Sequence, residues 1–137
     1  MADAGTKLTI EQKIKKVREL YAAFSSGDVP TIANGFADDI EWHFPGSTKY
    51  AGDYKGKQVV MARLALPMQD FEEFKLDLHD VLGSSEHVVA LISSTMGRKG
   101  RTFHDREVHV MHIADDGKLA EVWFTLNTEQ FKQALEA

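Results

Sequence analysis

Cysteine is absent from this chain, and its absence excludes three kinds of chemistry. Without a thiol there can be no disulfide framework, no thiolate nucleophile and no cysteine-based metal site. Hydrophobic runs are also short, and none approaches the roughly 20 residues that a membrane-spanning helix needs. The opening segment MADAGTKLT has neither the basic start nor the apolar middle of a secretory signal. We therefore predict a cytoplasmic protein with no membrane partner.

Basic residues are fewer than acidic ones, with 16 Lys and Arg against 21 Asp and Glu and a formal net charge of −5. Because Lys and Arg drive binding to a phosphate backbone, this balance predicts no nucleic-acid partner. The 137 residues suffice for one hydrophobic core without covalent staples. We predict a single domain over residues 9–137, preceded by a flexible N-terminus at 1–8.

Hydrophobic residues follow a helical spacing in the N-terminal part of the chain. Apolar side chains from Ile10 to Phe24 recur every three or four residues, which predicts one long amphipathic helix. Thr9 followed three residues later by Gln12 is a capping-box pattern, and it marks the start of this helix. Gly27 suits the left-handed position just after the last turn, so it marks the end.

The hydrophobic period changes to two in the second half of the chain, which predicts strands joined by hairpin turns. Short helices are predicted after Asp28, over 57–66 with a stop at Pro67, and over 128–135. Helices followed by antiparallel hairpins predict an α+β fold. We expect a cone-shaped, curved, mainly antiparallel sheet wrapped around the long N-terminal helix, with two or three short helices. The predicted strands are 40–44, one around 74–79, 87–96, 102–113 and 119–126.

The stretch 36–56 is predicted to border the open mouth of this cone. In its strand, Trp42 and Phe44 alternate with Glu41 and His43, so the aromatic pair lies on one face of the sheet. The aromatic pair either stacks on a flat ligand or is plain core.

Two tyrosines, Tyr50 and Tyr54, occupy the loop that follows the Pro-Gly break after this strand. Their hydroxyls could bond a ligand oxygen if the loop closes over the mouth. Solvated loop tyrosines are the expected alternative. We include Tyr54 among the candidate ligand-binding residues.

Five short motifs occur in an order typical of a known superfamily. They are FSSGD at 24–28, FADDIEW at 36–42, FPG at 44–46, the glycine-bounded segment 52–56, and the stretch 108–123 that contains DGKL. In this order the chain resembles the nuclear transport factor 2-like, or SnoaL-like, superfamily, which includes ketosteroid isomerases and polyketide cyclases. The resemblance covers roughly residues 10–136. It implies an apolar pocket and often a dimer formed through the outer face of the sheet.

The resemblance does not extend to the catalytic residues of ketosteroid isomerase. The aspartate base of that enzyme corresponds to Phe44 here, its oxyanion-hole tyrosine to Leu20, and its oxyanion-hole acid to His109. Steroid isomerisation by that mechanism is therefore not expected. By the same correspondence, His109 is expected to point into the pocket.

The densest polar stretch of the chain is 103–112. In a regular strand, Asp105, Glu107 and His109 share one face with Met111. A carboxylate neighbour raises the pKa of a histidine and fixes its tautomer, which suits a general acid or base. We predict that His109 is this acid or base, with Glu107 or Asp105 as its partner. The alternative is a histidine hydrogen-bonded into the core.

A metal site is a second use of the same strand. Asp105, Glu107 and His109 would be the ligands on one face, but such sites usually need two or more histidines. We predict no metal and no cofactor.

The strand predicted at 87–96 is apolar on both faces, which indicates that its outer face is also covered. We assign Leu91 and Ser93 to the inner face, where they would line the pocket with Met111. Val88, Ala90 and Ile92 are assigned to the outer face with Trp123, where they would form the contact of a homodimer.

Taken together, these features predict cofactor-free acid/base chemistry on a small apolar or ring-bearing molecule. Isomerisation, cyclisation, dehydration and hydrolysis all fit this description. The alternative is a non-catalytic module that only binds a ligand or assembles as a dimer.

Overall fold

The computed structural model describes residues 7–136. Within this range, one curved and unclosed sheet of six strands packs against four helices, so the predicted α+β fold is confirmed. The predicted flexible N-terminus falls almost entirely outside the described residues. The elements in chain order are α1 (Ile10–Ser26), α2 (Val29–Gly35), β1 (Phe36–Phe44), β2 (Gly52–Lys55), α3 (Lys57–Asp70), β3 (Glu73–Gly83), β4 (Val88–Arg98), β5 (Arg101–Ile113), β6 (Leu119–Thr125) and α4 (Thr128–Glu136).

The strand order β2-β1-β6-β5-β4-β3 places the last strand of the chain in the middle of the sheet. β6 pairs in parallel with β1 and antiparallel with β5, so two segments far apart in sequence flank it. Val122 of β6 lies beside Trp42 of β1 and beside Met111 of β5. The aromatic side chains of β1 and the polar side chains of β5 therefore reach the same face of the sheet.

Helix α1 begins and ends where the sequence predicts. The Thr9 hydroxyl accepts a hydrogen bond from the Gln12 amide at 3.1 Å, and the Gln12 side chain accepts one from the Thr9 amide at 2.8 Å. Gly27 ends the helix at φ 73°, a left-handed conformation that glycine adopts without penalty. Val17 is fully buried and joins the core that α1 shares with the sheet.

Helix α3 does not stop at Pro67 as predicted, because it continues to Asp70. A proline inside a helix loses one backbone hydrogen bond. Here the proline side chain is buried, and its carbonyl still accepts a hydrogen bond from the Phe71 amide at 3.0 Å. Burial against the core offsets the lost bond, which the sequence pattern alone does not reveal. None of the helices described between residues 7 and 136 combines the length and the apolar character that a membrane span requires.

The predicted faces of β4 are reversed in the structure. Ala90 and Ile92 belong to the buried core, whereas Leu91 is half-buried and Ser93 is exposed on the outer face. Ala90 pairs with His109 across the ladder, and this register fixes the parity. The assignment of Leu91 and Ser93 to the pocket is therefore wrong, as is the assignment of Val88, Ala90 and Ile92 to the outer face. A strand that is apolar on both faces carries no signal that distinguishes them.

We predict that Thr9→Ala lowers the free energy of unfolding by about 1 kcal/mol, since an alanine cannot accept the amide hydrogen bond at the helix N-terminus. Urea unfolding followed by circular dichroism measures the change. Ser25→Ala is the matched control, because Ser25 is an exposed hydroxyl residue near the other end of the same helix. An equal loss in both variants would contradict the capping role.

Candidate functional site

A mostly apolar hollow lies between α1 and the concave face of the sheet. It consists of two adjacent cavities with volumes of about 70 and 60 Å³. His109 lines both, whereas Tyr21 lines only the first and Glu107 only the second. The residues common to the two cavities are Phe24, Trp42, Leu64, Leu76, His109 and Phe124.

Three polar side chains form a continuous hydrogen-bonded chain in this hollow. Tyr21 Oη lies 2.5 Å from His109 Nδ1, and His109 Nε2 lies 3.0 Å from Glu107 Oε1. Glu107 and His109 are two residues apart on β5, so both point to the concave face, and Tyr21 reaches them from α1. Only 3% of His109 and 6% of Glu107 is exposed. We call these three residues the polar triad.

The proton positions that satisfy the polar triad follow from its chemistry. A neutral imidazole carries one donor and one acceptor nitrogen. If the Tyr21 hydroxyl donates to Nδ1, then Nε2–H of His109 donates to the Glu107 carboxylate. Burial, followed by the nearby Glu107 charge, raises the pKa of Tyr21, so its phenol keeps the proton that this arrangement needs. The triad can therefore hold one proton chain across the hollow.

Of the two carboxylates predicted as partners of His109, the structure brings only Glu107 to it. The Asp105 carboxylate instead accepts hydrogen bonds from the backbone amides of Arg106 at 2.7 Å and Asn127 at 2.8 Å. Asp105 thus connects β5 to the start of α4, away from the imidazole. Tyr21 was missed as a polar member of the site. Its helical spacing marks an inward position, but a tyrosine there also suits plain core.

The aromatic lining of the hollow includes Trp42 and Phe44, as the sequence suggests. The rings of Trp42 and Phe124 have centroids 4.6 Å apart, and those of Phe44 and Phe124 are 5.3 Å apart. Trp42 lines both cavities, Phe44 lines the second and Met111 the first. The aromatic rings among these side chains are tilted against one another, and the imidazole of His109 meets the Phe124 ring edge-on with centroids 4.6 Å apart.

The two tyrosines after β1 are not solvated loop residues. The Tyr54 hydroxyl donates to the Ala51 carbonyl at 2.6 Å, and the residue lies on β2 outside the lining of both cavities. Tyr50 is 5% exposed, donates to Asp70 at 2.6 Å and lines the second cavity. Burial, together with the Asp70 hydrogen bond, raises the pKa of Tyr50. Tyr50, and not Tyr54, is therefore the tyrosine of this segment that could contact a ligand in the hollow.

A second polar cluster lies on the convex face of the sheet. His43 bonds Asp53 at 2.6 Å through Nδ1 and Glu121 at 2.7 Å through Nε2. Its ring stacks on Trp123, with centroids 5.6 Å apart and planes 19° apart. The hydrogen bond to Asp53, with a further one to Glu121, raises the pKa of His43, although partial burial opposes the shift.

The ligand atoms of Glu41, His43 and Glu121 lie within 4.8 Å of one another, close enough to surround one metal ion. One histidine with two carboxylates is a weaker ligand set than the histidine-rich sites of transition metals. Both nitrogens of His43 are also occupied by carboxylates, so a cation would have to displace one of these bonds. The sequence pattern offers an alternative metal site only on β5. It does not indicate this cluster, because only the pairing of β1 with β6 brings these residues together.

Comparison with known proteins defines the class of this chain. The family model for the SnoaL-like domain matches residues 17–122, so the chain belongs to the SnoaL-like domain family, as the sequence motifs suggest. The chain is 28% identical over 109 residues to the uncharacterised protein Rv0034 of Mycobacterium tuberculosis H37Rv, and the match covers 78% of this chain and 83% of that protein.

Two solved structures are also similar. Bal32a, from a soil-derived mobile gene cassette, has a TM-score of 0.86 and 27% identity, with 92% of this chain and 98% of that one covered. TerC, which was co-crystallised with polyporic acid, has a TM-score of 0.83 and 22% identity, with 92% and 99% covered. At this identity the likeness to TerC concerns the fold.

We predict that the His43 cluster stabilises the fold more at low pH than at high pH. Because the folded-state pKa of His43 is raised, its contribution is complete below the ordinary histidine pKa of about 6.5 and is lost as pH rises through the folded value. Urea unfolding at several pH values between 5.5 and 9 measures this, with pH points chosen to bracket about 6.5. His43→Gln should flatten that part of the profile.

His79→Gln is the matched control, since His79 is an exposed histidine on β3. An unchanged pH profile in His43→Gln, or an equal change in both variants, would show that the two carboxylates do not hold the His43 proton.

Proposed function

We propose that this protein binds a small, largely apolar, ring-bearing molecule in the hollow and carries out cofactor-free acid/base chemistry on it. Isomerisation, cyclisation, dehydration and hydrolysis are the reactions that such a site supports. The observation that carries the proposal is the polar triad, a chain of three proton-exchanging groups buried among aromatic side chains. Membership of the SnoaL-like family supports a ligand pocket at this place in the fold.

The apolar surroundings favour proton transfer in the triad. Excluding water strengthens hydrogen bonds and charge interactions within a site. The hollow is lined mostly by carbon, and both Glu107 and His109 are almost fully buried. A proton that moves between His109 and a ligand would therefore meet little competition from solvent.

Each member of the triad has a distinct role in this proposal. The Glu107 carboxylate orients the imidazole by accepting a hydrogen bond from Nε2 and stabilises the imidazolium when His109 takes up a proton. His109 moves the proton, because it faces both cavities. The Tyr21 hydroxyl gives up its bond to Nδ1 when the ligand enters and bonds a ligand oxygen. Trp42 and Phe44 hold the ligand ring.

The size of the hollow limits the ligand. Each cavity has about half the ~150 Å³ of an apolar protein cavity that binds benzene. A single six-membered ring would therefore need room from both cavities, beside the shared side chains Trp42 and His109. We infer a compact ligand, with larger molecules requiring displacement of lining side chains.

A non-catalytic binding function is the second candidate, and one observation favours it. Both nitrogens of His109 are already hydrogen-bonded, so neither presents a free acid or base to the hollow. In that case the triad only ties α1 to β5 beneath a binding pocket. Catalysis requires that a ligand replaces Tyr21 at Nδ1, whereas simple binding does not.

We predict that the protein accelerates exchange of the acidic carbon-bound protons of small cyclic ketones in deuterated water, as followed by NMR. This exchange reports proton transfer without knowledge of the natural reaction. His109→Gln and His109→Ala should lower the exchange rate by about 10²–10⁴-fold, the usual loss when a general acid or base is removed. Ligand binding is followed separately by the fluorescence of Trp42, measured in a Trp123→Phe background.

Tyr21→Phe keeps the ring but removes the hydroxyl, so it separates a proton-transfer role from packing. His79→Gln serves again as the histidine control outside the hollow. Loss of exchange with retained Trp42 fluorescence changes supports catalysis. Binding without exchange in the unmodified protein would contradict the enzyme proposal and leave the binding module.

We further propose that two copies pair through the convex face of the sheet and that the protein works in the cytoplasm. Val89, Leu91 and Trp123 are half-buried on that face, and such apolar surface usually marks an interaction site. Light scattering after size exclusion should give twice the 15.3 kDa chain mass. Leu91→Asp should give the single-chain mass, and a monomer in the unmodified protein would contradict the pairing.

A further inference from the structure

The second cavity carries one positively charged side chain. Among the residues of 7–136 that line the two cavities, Arg63 of α3 is the only lysine or arginine. It shares the second cavity with His109, Trp42 and Tyr50. Basic residues are outnumbered by acidic ones in this chain. We therefore ask why an arginine side chain lines an otherwise apolar cavity.

Arg63 is held in place without a charged partner. Its guanidinium donates a hydrogen bond to the Lys49 carbonyl and lies 4.3 Å from the centroid of the Tyr54 ring. Within residues 7–136, no carboxylate lies within 4.0 Å of it. An arginine has five N–H donors in a fixed fork, so donors remain beyond the one directed at Lys49.

The acidic side chains bonded to residues around the second cavity are already used. The Asp70 carboxylate bonds Lys49 at 2.8 Å and accepts a hydrogen bond from the Tyr50 hydroxyl at 2.6 Å. The carboxylate of Glu107, which also lines the second cavity, bonds His109. The carboxylates of Asp70 and Glu107 thus bond other side chains. The guanidinium of Arg63 can therefore pair with a negatively charged group of a bound ligand.

We propose that Arg63 binds the carboxylate of the ligand, so that the ligands of this protein are small ring-bearing carboxylic acids. The inference rests on the proposed pocket function and specifies its substrate class. A guanidinium matches a carboxylate with two parallel hydrogen bonds, and such bonds are stronger than those between neutral groups. With its carboxylate at Arg63, the ligand directs its ring toward Trp42 and toward His109, where the triad acts.

A purely structural role for Arg63 is the competing explanation. Its contacts with Lys49 and Tyr54 tie the segment after β1 to α3. This role predicts equal effects on charged and neutral ligands when Arg63 is changed. The carboxylate-binding role predicts a much larger effect on the charged ligand than on the neutral one.

The test compares phenylacetate with phenylacetamide, two single-ring probes of nearly the same shape that differ in charge. Trp42 fluorescence in the Trp123→Phe background measures both dissociation constants. We expect phenylacetate to bind at least tenfold more tightly, a difference of about 1.4 kcal/mol. Arg63→Gln should remove this preference by weakening phenylacetate far more than phenylacetamide, whereas Arg63→Lys should retain part of it. Raising the salt concentration should weaken phenylacetate binding alone.

Arg106→Gln is the matched control, since Arg106 is exposed on the outer face of β5. Equal binding of the two probes to the unmodified protein would overturn the carboxylate inference and leave the pocket intact. An equal loss of both probes in Arg63→Gln would also overturn it, in favour of the structural role. If neither probe binds at millimolar concentration, the proposed ligand class is wrong together with the pocket function.

Discussion

The burial of Glu107 and His109 on the inner face of β5 is the constraint on which the rest of the structure depends. Two polar side chains in a core each require a hydrogen-bond partner, because an unpaired one costs about 1–3 kcal/mol. They satisfy each other on one side, and Tyr21 completes the set from α1. Within residues 7–136, no fully buried side-chain nitrogen or oxygen is left without a partner. The triad thereby ties α1 to β5 within the core that the two elements share.

The sheet divides the polar residues between two faces with different chemistry. On the concave face the triad is enclosed by aromatic side chains, and water is largely excluded. On the convex face His43 lies between Asp53 and Glu121, with only a quarter of its side chain exposed. Both arrangements involve β6, because its Phe124 lies beside His109 and its parallel pairing with β1 places Glu121 and Trp123 beside His43. One strand thus organises two separate clusters.

The shape of the hollow links packing to the proposed chemistry. His109 lines both of its cavities. The side chains that could hydrogen-bond a ligand differ between them, because Tyr21 lines the first and Arg63 lines the second. A ligand that spans both cavities would be oriented by these side chains while its ring contacts Trp42. In the proposed function, these two side chains would position the ligand and the polar triad would move its proton.

The sequence by itself determined the elements that depend on local chemistry. The capping box at Thr9, the left-handed Gly27 and the alternation around Trp42 are set by neighbours a few residues away, and the structure agrees with each. The two-residue period also placed Glu107 and His109 on one face of a strand, whereas the inward direction of His109 was expected only from the superfamily resemblance. Only the tertiary structure decided the remainder. The ladder register reversed the faces of β4, and Tyr21 approached His109 across 88 residues of chain. Such groups are brought together by the pairing and packing of segments that are far apart in sequence. The hydrophobic periodicity of a single segment carries no information about which segments pair.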